Sequence, residues 1–363
     1  MTLASATAEL TLIVAGDPDQ LTGGYLYDAR IVAALRERGW RVEVAGLAGR
    51  FPDPDALARA SMAAALAALP DGARVVIDGL ALGGLPEVVA PHADRLRLIA
   101  LVHHPLADET GLDDATRERL RHSETRALAL ARRVIATSAY TARGLARFGV
   151  PPSRVAVVEP GVDPAPLADT AASQARREGP QRLLCVATLT PRKGHDLLVE
   201  ALASLRQHDW RCDCIGGLSR DPAHAARVAQ RIRHHRLEAR LRLCGEQGPE
   251  ALAAAYRQAD LFVLASHYEG YGMVVTEALA RGLPVITTTG GALADTLPAT
   301  AGLAVAPGDS HGLAVALARW FEEPELRARL RHGARQARAR LGDWSDAGAA
   351  FAAALSDPSE VVP

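Results

Sequence analysis

Two carboxylates and a glycine-rich turn make Glu269-Gly270-Tyr271-Gly272-Met273-Val274-Val275-Thr276-Glu277 the segment of this sequence best equipped for chemistry. Glu269 and Glu277, with seven residues between them, stand on either side of a turn that opens a helix. Leu261-Phe262-Val263-Leu264-Ala265 before them is a short apolar run, read as a strand buried on both faces. Met273 to Ala280 has helix-forming composition, Gly282 ends that helix, and Pro284-Val285-Ile286-Thr287 starts the next strand. Strand, loop, helix and strand in that order make a parallel βαβ unit. The first turn of the helix offers backbone N–H groups and the positive end of the dipole, which suit a diphosphate. Carboxylates accept hydrogen bonds from vicinal hydroxyls, so one glutamate could hold a hexose and the other a ribose. The same acids also fit a solvated helix start favoured by the dipole. Alone, the segment leaves both readings open.

Lysine usage favours the first. The 41 basic side chains include one lysine, Lys193, in Pro191-Arg192-Lys193-Gly194 directly after the apolar strand Leu183-Leu184-Cys185-Val186-Ala187. A turn at a strand's carboxyl end is where open α/β sheets bind ligands. A compact ammonium neutralises a diphosphate as a point charge, and Arg192 can fork onto two oxygens.

Taken together, Pro191-Arg192-Lys193-Gly194 and the Glu269–Glu277 pair resemble the large retaining glycosyltransferase family 4, the glycosyl transferases group 1. Other stretches agree in order and spacing. Gly23-Gly24 follows the first strand, and His103-His104-Pro105 follows Leu98-Ile99-Ala100-Leu101-Val102. Thr137-Ser138 precedes a helix, Pro160-Gly161-Val162-Asp163 closes the first half, and Pro307-Gly308-Asp309 comes late. Tyr256-Arg257-Gln258-Ala259-Asp260 leads into the Glu269 strand. The resemblance spans nearly the whole chain. It implies an α/β protein of two facing Rossmann-like domains, the GT-B arrangement, with an interdomain cleft for the ligand and a C-terminal helix crossing back.

It also implies roles. Glu269 would hold donor-sugar hydroxyls and Glu277 the nucleotide ribose, while the backbone of Gly270, Tyr271, Gly272, Met273 and Val274 would meet sugar and phosphates. Arg192 and Lys193 would stabilise charge on the departing diphosphate, which grows in the transition state. His103 matches the position that contacts the donor sugar near the reacting carbon, with His104 beside it. Gly23 and Gly24 could admit donor phosphates or acceptor closely, or form an ordinary tight turn. Two departures stand out. Ala187 occupies the place six residues before Lys193 where the family usually has arginine, and Ala294, with Asp295 one step late, falls where an acid is expected.

The elements that must position these groups alternate along the chain, as in α/β proteins with parallel sheets. First-half strands fit Leu10–Ala15, Arg41–Ala45, Val75–Asp78, Leu96–Val102, Val134–Thr137 and Val155–Val158. Helices between them fit Tyr25–Arg38, Pro54–Ala68, Asp114–Arg132 and Ala139–Arg147. The expected division is an acceptor domain over 1–165, a linker over 166–181 and a donor domain over 182–341. A tail over 342–363, with helix Ala347–Leu355, would pack back on the first domain. A chain of 363 residues has room for two such cores.

A net charge of −1 gives no reason to expect nucleic acid or an acidic polymer as partner. Charges are mixed over Asp113 to Arg133, so membrane attachment through a basic helix has weak support. No apolar run reaches transmembrane length, and no basic region precedes the first apolar strand as in a signal peptide. The four cysteines, Cys185, Cys212, Cys214 and Cys244, read as reduced core residues of a cytoplasmic protein rather than a zinc site. The runs Asp17–Asp19 and Asp53–Asp55 are locked into turns by proline, the second as a helix cap, so neither reads as a metal motif.

The expected activity is therefore metal-independent and cofactor-free transfer, with retention, of a hexose from a nucleotide sugar. UDP-hexose leads over GDP-mannose, and the acceptor stays open among lipid, oligosaccharide and small molecules. A sugar-nucleotide epimerase or isomerase and a non-catalytic sugar-nucleotide binder are the alternatives. No G-x-G-x-x-G follows the first strand and Lys193 lacks P-loop spacing, which disfavours dinucleotide and P-loop chemistry.

Overall fold

The computed structural model describes residues 8–168 and 179–356. The chain divides into two compact units, one running to Gly161 and resuming at Gly342, the other spanning Val162–Leu341. Much of the expected linker, residues 169–178, lies outside the described residues.

Six strands build the first unit: β1 (Glu9–Ala15), β2 (Arg41–Leu47), β3 (Arg74–Asp78), β4 (Arg97–Val102), β5 (Arg133–Ala136) and β6 (Val155–Val157). They form one sheet in the order β2-β1-β3-β4-β5-β6, and every pairing is parallel. Helices cover both faces of such sheets, so the central strands have no polar face. Leu98 to Val102 in β4 are accordingly all buried. Helices begin where a side chain accepts an otherwise unmatched N–H. Asp55 caps Ala56–Ala67, Asp113 caps Asp114–Leu130, and Ser138 caps Ala139–Gly144.

The second unit repeats the scheme with β7 (Gln181–Val186), β8 (Trp210–Ile215), β9 (Leu241–Gly245), β10 (Leu261–Leu264), β11 (Val285–Thr288) and β12 (Gly302–Val305). Their order is β12-β11-β10-β7-β8-β9, again parallel throughout. Each sheet reverses its strand order once, at β1/β3 in the first unit and at β7/β10 in the second. In open parallel sheets, the carboxyl ends of strands at such a reversal are where ligands bind.

Two local expectations need correction. Gly23 and Gly24 are the first two residues of helix Gly23–Glu37 rather than a turn ahead of it, because extended Thr22 takes the N-cap position. The α-helix expected over Ala139–Arg147 ends at Gly144 and tightens to a 3-10 turn over Leu145–Phe148, closed by left-handed Gly149 at φ 72°. Glycine takes that conformation at little steric cost and so ends helices readily.

Helix Trp344–Leu355 opens with a capping box formed by Asp343 and Asp346, and it packs on helix Gly23–Glu37 inside the first unit. Gly348 permits this approach, since a Cβ there would stand 2.5 Å from Ala34 Cβ. Arg38 pins the same contact by donating to the Ser345 carbonyl at 2.6 Å. Overpacking such a contact typically costs about 1–3 kcal/mol. Gly348→Val should therefore lower the thermal midpoint of the first unit by several degrees, as read by calorimetry; an unchanged melt would show that the helix is not docked this closely.

Candidate functional site

At the β7/β10 reversal, two loops are tied together by groups that the sequence singled out. The loop after β7 makes a short 3-10 turn over Pro191–Lys193 and leaves it through Gly194 at φ 63°. No other residue fits there easily, because a Cβ would stand 2.1 Å from the Ala265 carbonyl oxygen. The Arg192 carbonyl accepts from His267 N at 2.8 Å, and the Arg192 guanidinium donates to the Tyr268 carbonyl at 2.8 Å. These bonds fix the turn against the loop that follows β10.

Glu269 is the focus of that junction. Its Oε1 accepts from Lys193 Nζ at 2.5 Å and from Ser266 Oγ at 2.6 Å, while Oε2 accepts from Arg192 at 3.3 Å. The Glu269 side chain is 9% exposed and that of Lys193 is 17% exposed. Burial pushes the Glu269 carboxyl upward, but the two cations and the hydrogen bonds more than reverse this, to a pKa of about 2. Burial pulls the Lys193 ammonium below its ordinary value, with Glu269 opposing the shift. Two cations around one carboxylate leave this pocket of charge formally positive.

The backbone of Glu269 is held as firmly as its side chain. Glu269 N donates to the Gly290 carbonyl at 3.3 Å, and its own carbonyl accepts from Ala292 N at 2.8 Å. Gly290 and Gly291 allow this, since a Cβ on Gly291 would lie 2.2 Å from the Glu269 carbonyl oxygen. After Gly270 and Tyr271, Gly272 turns left-handed at φ 94° and caps helix Met273–Ala280 without any side-chain hydrogen bond. The helix N-terminus, with Met273 and Val274 in its first turn, therefore begins four positions after Glu269.

Glu277 lies one helical stretch further along, where its Oε2 accepts from Tyr256 Oη at 2.9 Å. Arg281 stacks over the Tyr256 ring at 4.2 Å and donates to the Glu277 carbonyl at 2.8 Å. Tyr256 thus orients Glu277. Ala187 is buried at the end of β7, and Ala294 and Asp295 are exposed on the short helix Leu293–Thr296.

The first unit carries its own cluster at the β1/β3 reversal. His103 follows β4 directly, and its Nε2 lies 3.2 Å from both Asp28 Oδ1 and Asp78 Oδ2. Asp28 comes from helix Gly23–Glu37 and Asp78 from the end of β3; both are buried. Burial disfavours the imidazolium, yet the two carboxylates outweigh it and raise His103 to a pKa of about 10. Burial likewise lifts the Asp28 carboxyl above its ordinary range, against the pull of His103. Gly24 backs the ring, since a Cβ there would stand 3.3 Å from His103 Cδ2, whereas one on Gly23 would meet nothing within 4 Å. His104 turns to Glu109, 3.4 Å away. Glu124, buried in helix Asp114–Leu130, closes the turn by accepting from Leu106 N at 2.6 Å and Ala107 N at 2.9 Å.

Asp28, Asp78 and His103 are also close enough to hold a metal ion. A ring nitrogen that donates to two carboxylates has no lone pair for a metal, so the geometry reads as an ion-paired cation. Sequence reasoning found His103 but missed both aspartates, along with Ser266 and Tyr256 as partners of the glutamates. Asp78 carried a usable signal: like His103, it is a polar residue at the carboxyl end of a buried parallel strand.

A raised histidine pKa adds stability that is complete below the unfolded value of about 6.5 and is lost as pH climbs through the folded value. The His103 ring protons should accordingly titrate in NMR near pH 10, and Asp78→Asn should move that midpoint down. Titration near 6.5 in the unaltered protein would refute the paired imidazolium.

Comparison with known proteins bears on the family and the fold. Residues 27–166 match the family model described as Glycosyltransferase Family 4, and residues 168–337 match that described as Glycosyl transferases group 1. A D-inositol 3-phosphate glycosyltransferase of Kineococcus radiotolerans is 35% identical over 218 residues, 54% of this chain and 49% of that protein. A glycogen synthase of Mycobacterium tuberculosis is 32% identical over 209 residues, 56% of this chain and 49% of its own. The aligned region thus spans about half the length of these curated relatives. Among solved structures, the sucrose-phosphate synthase of Thermosynechococcus elongatus superposes with a TM-score of 0.79 at 22% identity, covering 95% of this chain and 98% of that one. Anabaena HepE, solved with UDP and glucose, gives a TM-score of 0.73 at 19% identity over 96% of this chain and 99% of its own. With the two family models together matching residues 27–166 and 168–337, the chain belongs to glycosyltransferase family 4.

Proposed function

We propose that this chain is a retaining glycosyltransferase that moves a hexose from a nucleoside diphosphate sugar to a hydroxyl acceptor in the cytoplasm. The observation that carries the reading is the buried Lys193–Glu269–Arg192 arrangement beside the N-terminus of helix Met273–Ala280. A surplus of positive charge next to helix N–H groups matches a leaving diphosphate. UDP-hexose leads over GDP-mannose as donor, a preference in keeping with the UDP-glucose complex of Anabaena HepE. The names of the relatives, an inositol-phosphate glycosyltransferase and a glycogen synthase, span unlike acceptors. The acceptor is accordingly left as a hydroxyl compound.

On this reading, the bond from the anomeric carbon to the diphosphate breaks as the bond to the acceptor oxygen forms on the same face. The acceptor proton passes to the departing phosphate oxygen, so no protein nucleophile is needed. Lys193 and Arg192 meet charge that grows as the diphosphate departs, which lowers the barrier more than it tightens donor binding. Glu269 holds sugar hydroxyls through whatever acceptor capacity its cations leave, and Glu277, oriented by Tyr256, accepts from the ribose. His103, held as a cation, contributes a fixed positive charge or a hydrogen bond and does not act as a base. Neutralisation of the diphosphate by protein groups makes added magnesium or manganese unnecessary.

A panel of UDP-, GDP-, ADP- and TDP-sugars, without added magnesium or manganese, tests the proposal through binding and slow donor hydrolysis. One sugar nucleotide should bind and release its free diphosphate. Lys193→Ala should lower that turnover by about 10²–10³-fold, the usual effect of removing a group that stabilises developing charge. Formation of a second sugar nucleotide without any acceptor would indicate an epimerase, and binding to no donor would sink the site. Bound donor should also protect Lys193, the sole lysine, from amine acetylation while the N-terminal amine still reacts; equal labelling with and without donor would remove Lys193 from the site.

A further inference from the structure

Behind the Pro191–Lys193 turn, the core of the second unit contains a group of side chains that the donor chemistry does not use. Cys185 on β7 and Cys214 on β8 are register partners across the parallel pair. His195 opens helix His195–Ala203 immediately after Gly194, and its Nε2 lies 3.8 Å from Cys185 Sγ. The ligand atoms of Cys185, His195 and Cys214 all fall within 4.8 Å of one another, and all three residues are buried. Cys185 and Cys214 both belong to the hydrophobic core of the second unit. An imidazole placed there costs desolvation unless its nitrogens are matched; His195 Nδ1 is buried without a hydrogen-bond partner, and Nε2 faces a thiol sulfur at 3.8 Å, so the ring is poorly matched by the protein itself.

We infer that Cys185, His195 and Cys214 form a binding site for one thiophilic metal ion of the zinc or cadmium class. Two sulfurs and an imidazole nitrogen are the donor set such ions prefer over oxygen. Zinc–sulfur bonds of about 2.3 Å and zinc–nitrogen bonds of about 2.0–2.1 Å put tetrahedral ligand atoms roughly 3.6–3.8 Å apart. The Cys185 Sγ–His195 Nε2 spacing of 3.8 Å is close to the sulfur–nitrogen distance of about 3.6 Å, and small side-chain rotations can bring in both sulfurs. On binding, each thiol gives its proton to solvent as its sulfur–metal bond forms, and the neutral imidazole donates a lone pair. The ion would then join β7, β8 and the start of the helix at the base of the loop that carries Lys193. Its role would be to brace that loop, outside the chemistry of transfer.

The test uses the full chain, reduced, treated with chelator and desalted, and then titrated with Cd²⁺ alone. Thiolate-to-cadmium ultraviolet absorption should grow to saturation at one ion per chain, and the thermal midpoint should rise with it. Cys185→Ser or Cys214→Ser should at least halve the absorption, whereas Cys244→Ser should leave it unchanged. Because a core substitution can unfold the chain, the unsubstituted protein provides an independent reading. Its Co²⁺ form should show the intense visible bands of a tetrahedral site with sulfur ligands. No charge-transfer absorption at saturating Cd²⁺, weak octahedral cobalt bands, or absorption that depends on Cys244 and not on Cys185 would each overturn the site.

Discussion

A carboxylate with almost no access to water must be matched by positive charge, and Glu269 imposes that condition on the second unit. Leaving a buried charge unpaired typically costs about 3–5 kcal/mol, a large part of the stability of a domain. Lys193 and Arg192 meet the condition from a different loop. The strand ends of β7 and β10 therefore cannot separate without exposing the mismatch. The surrounding backbone conforms to this pairing: left-handed Gly194 admits the Ala265 carbonyl, and left-handed Gly291 admits that of Glu269. Charge pairing, glycine placement and helix start are three consequences of one junction.

The two units solve the same geometric problem with opposite charge. Each has a six-stranded parallel sheet with one reversal of strand order, and each buries an ion cluster at the carboxyl ends beside that reversal. In the first unit two carboxylates, Asp28 and Asp78, hold one cation, His103. In the second, two cations hold one carboxylate. A cluster with surplus positive charge suits a phosphate. A cation already saturated by carboxylates suits the orientation of a ring and little movement of protons. The glycine beside each cluster serves packing in the first unit, at Gly24, and backbone conformation in the second, at Gly194 and Gly272.

How much of this could be read in advance depended on the range of the interaction. Helix Met273–Ala280 was legible to the residue, because an apolar strand, a left-handed glycine and Gly282 bound it within the local sequence. The parallel α/β architecture was legible for a similar reason, since buried runs alternate with helical stretches at short spacing. Lys193 and Glu269 were each visible at strand ends, but no local pattern says that they touch, because 76 positions separate them. The Asp28–His103 pair spans 75 positions. Asp28 also sits on a helix, where an aspartate ordinarily reads as solvated surface. Gly23-Gly24 misled in the other direction: a glycine pair suggests a turn, yet the N-cap conformation of Thr22 draws both into the helix.

The same junction accounts for the oddest compositional feature of the chain, its single lysine. Glu269 Oε1 already accepts from Ser266 Oγ at 2.6 Å, and the other oxygen faces Arg192. A second guanidinium would gain its bidentate advantage only with two acceptor oxygens in its plane, and here one oxygen is crowded by a hydroxyl and the other already faces Arg192. An ammonium is compact and approaches from any direction, so its nitrogen can reach 2.5 Å from Oε1 within a side chain that is 17% exposed. Three donors on one small head also let it turn toward a neighbouring anion without moving its stem, which a fork cannot do. Arginine serves wherever this chain needs surface charge or bidentate pairing. At the one place where a cation must fit beside a hydroxyl, against a buried carboxylate, the geometry admits lysine and disfavours the alternative.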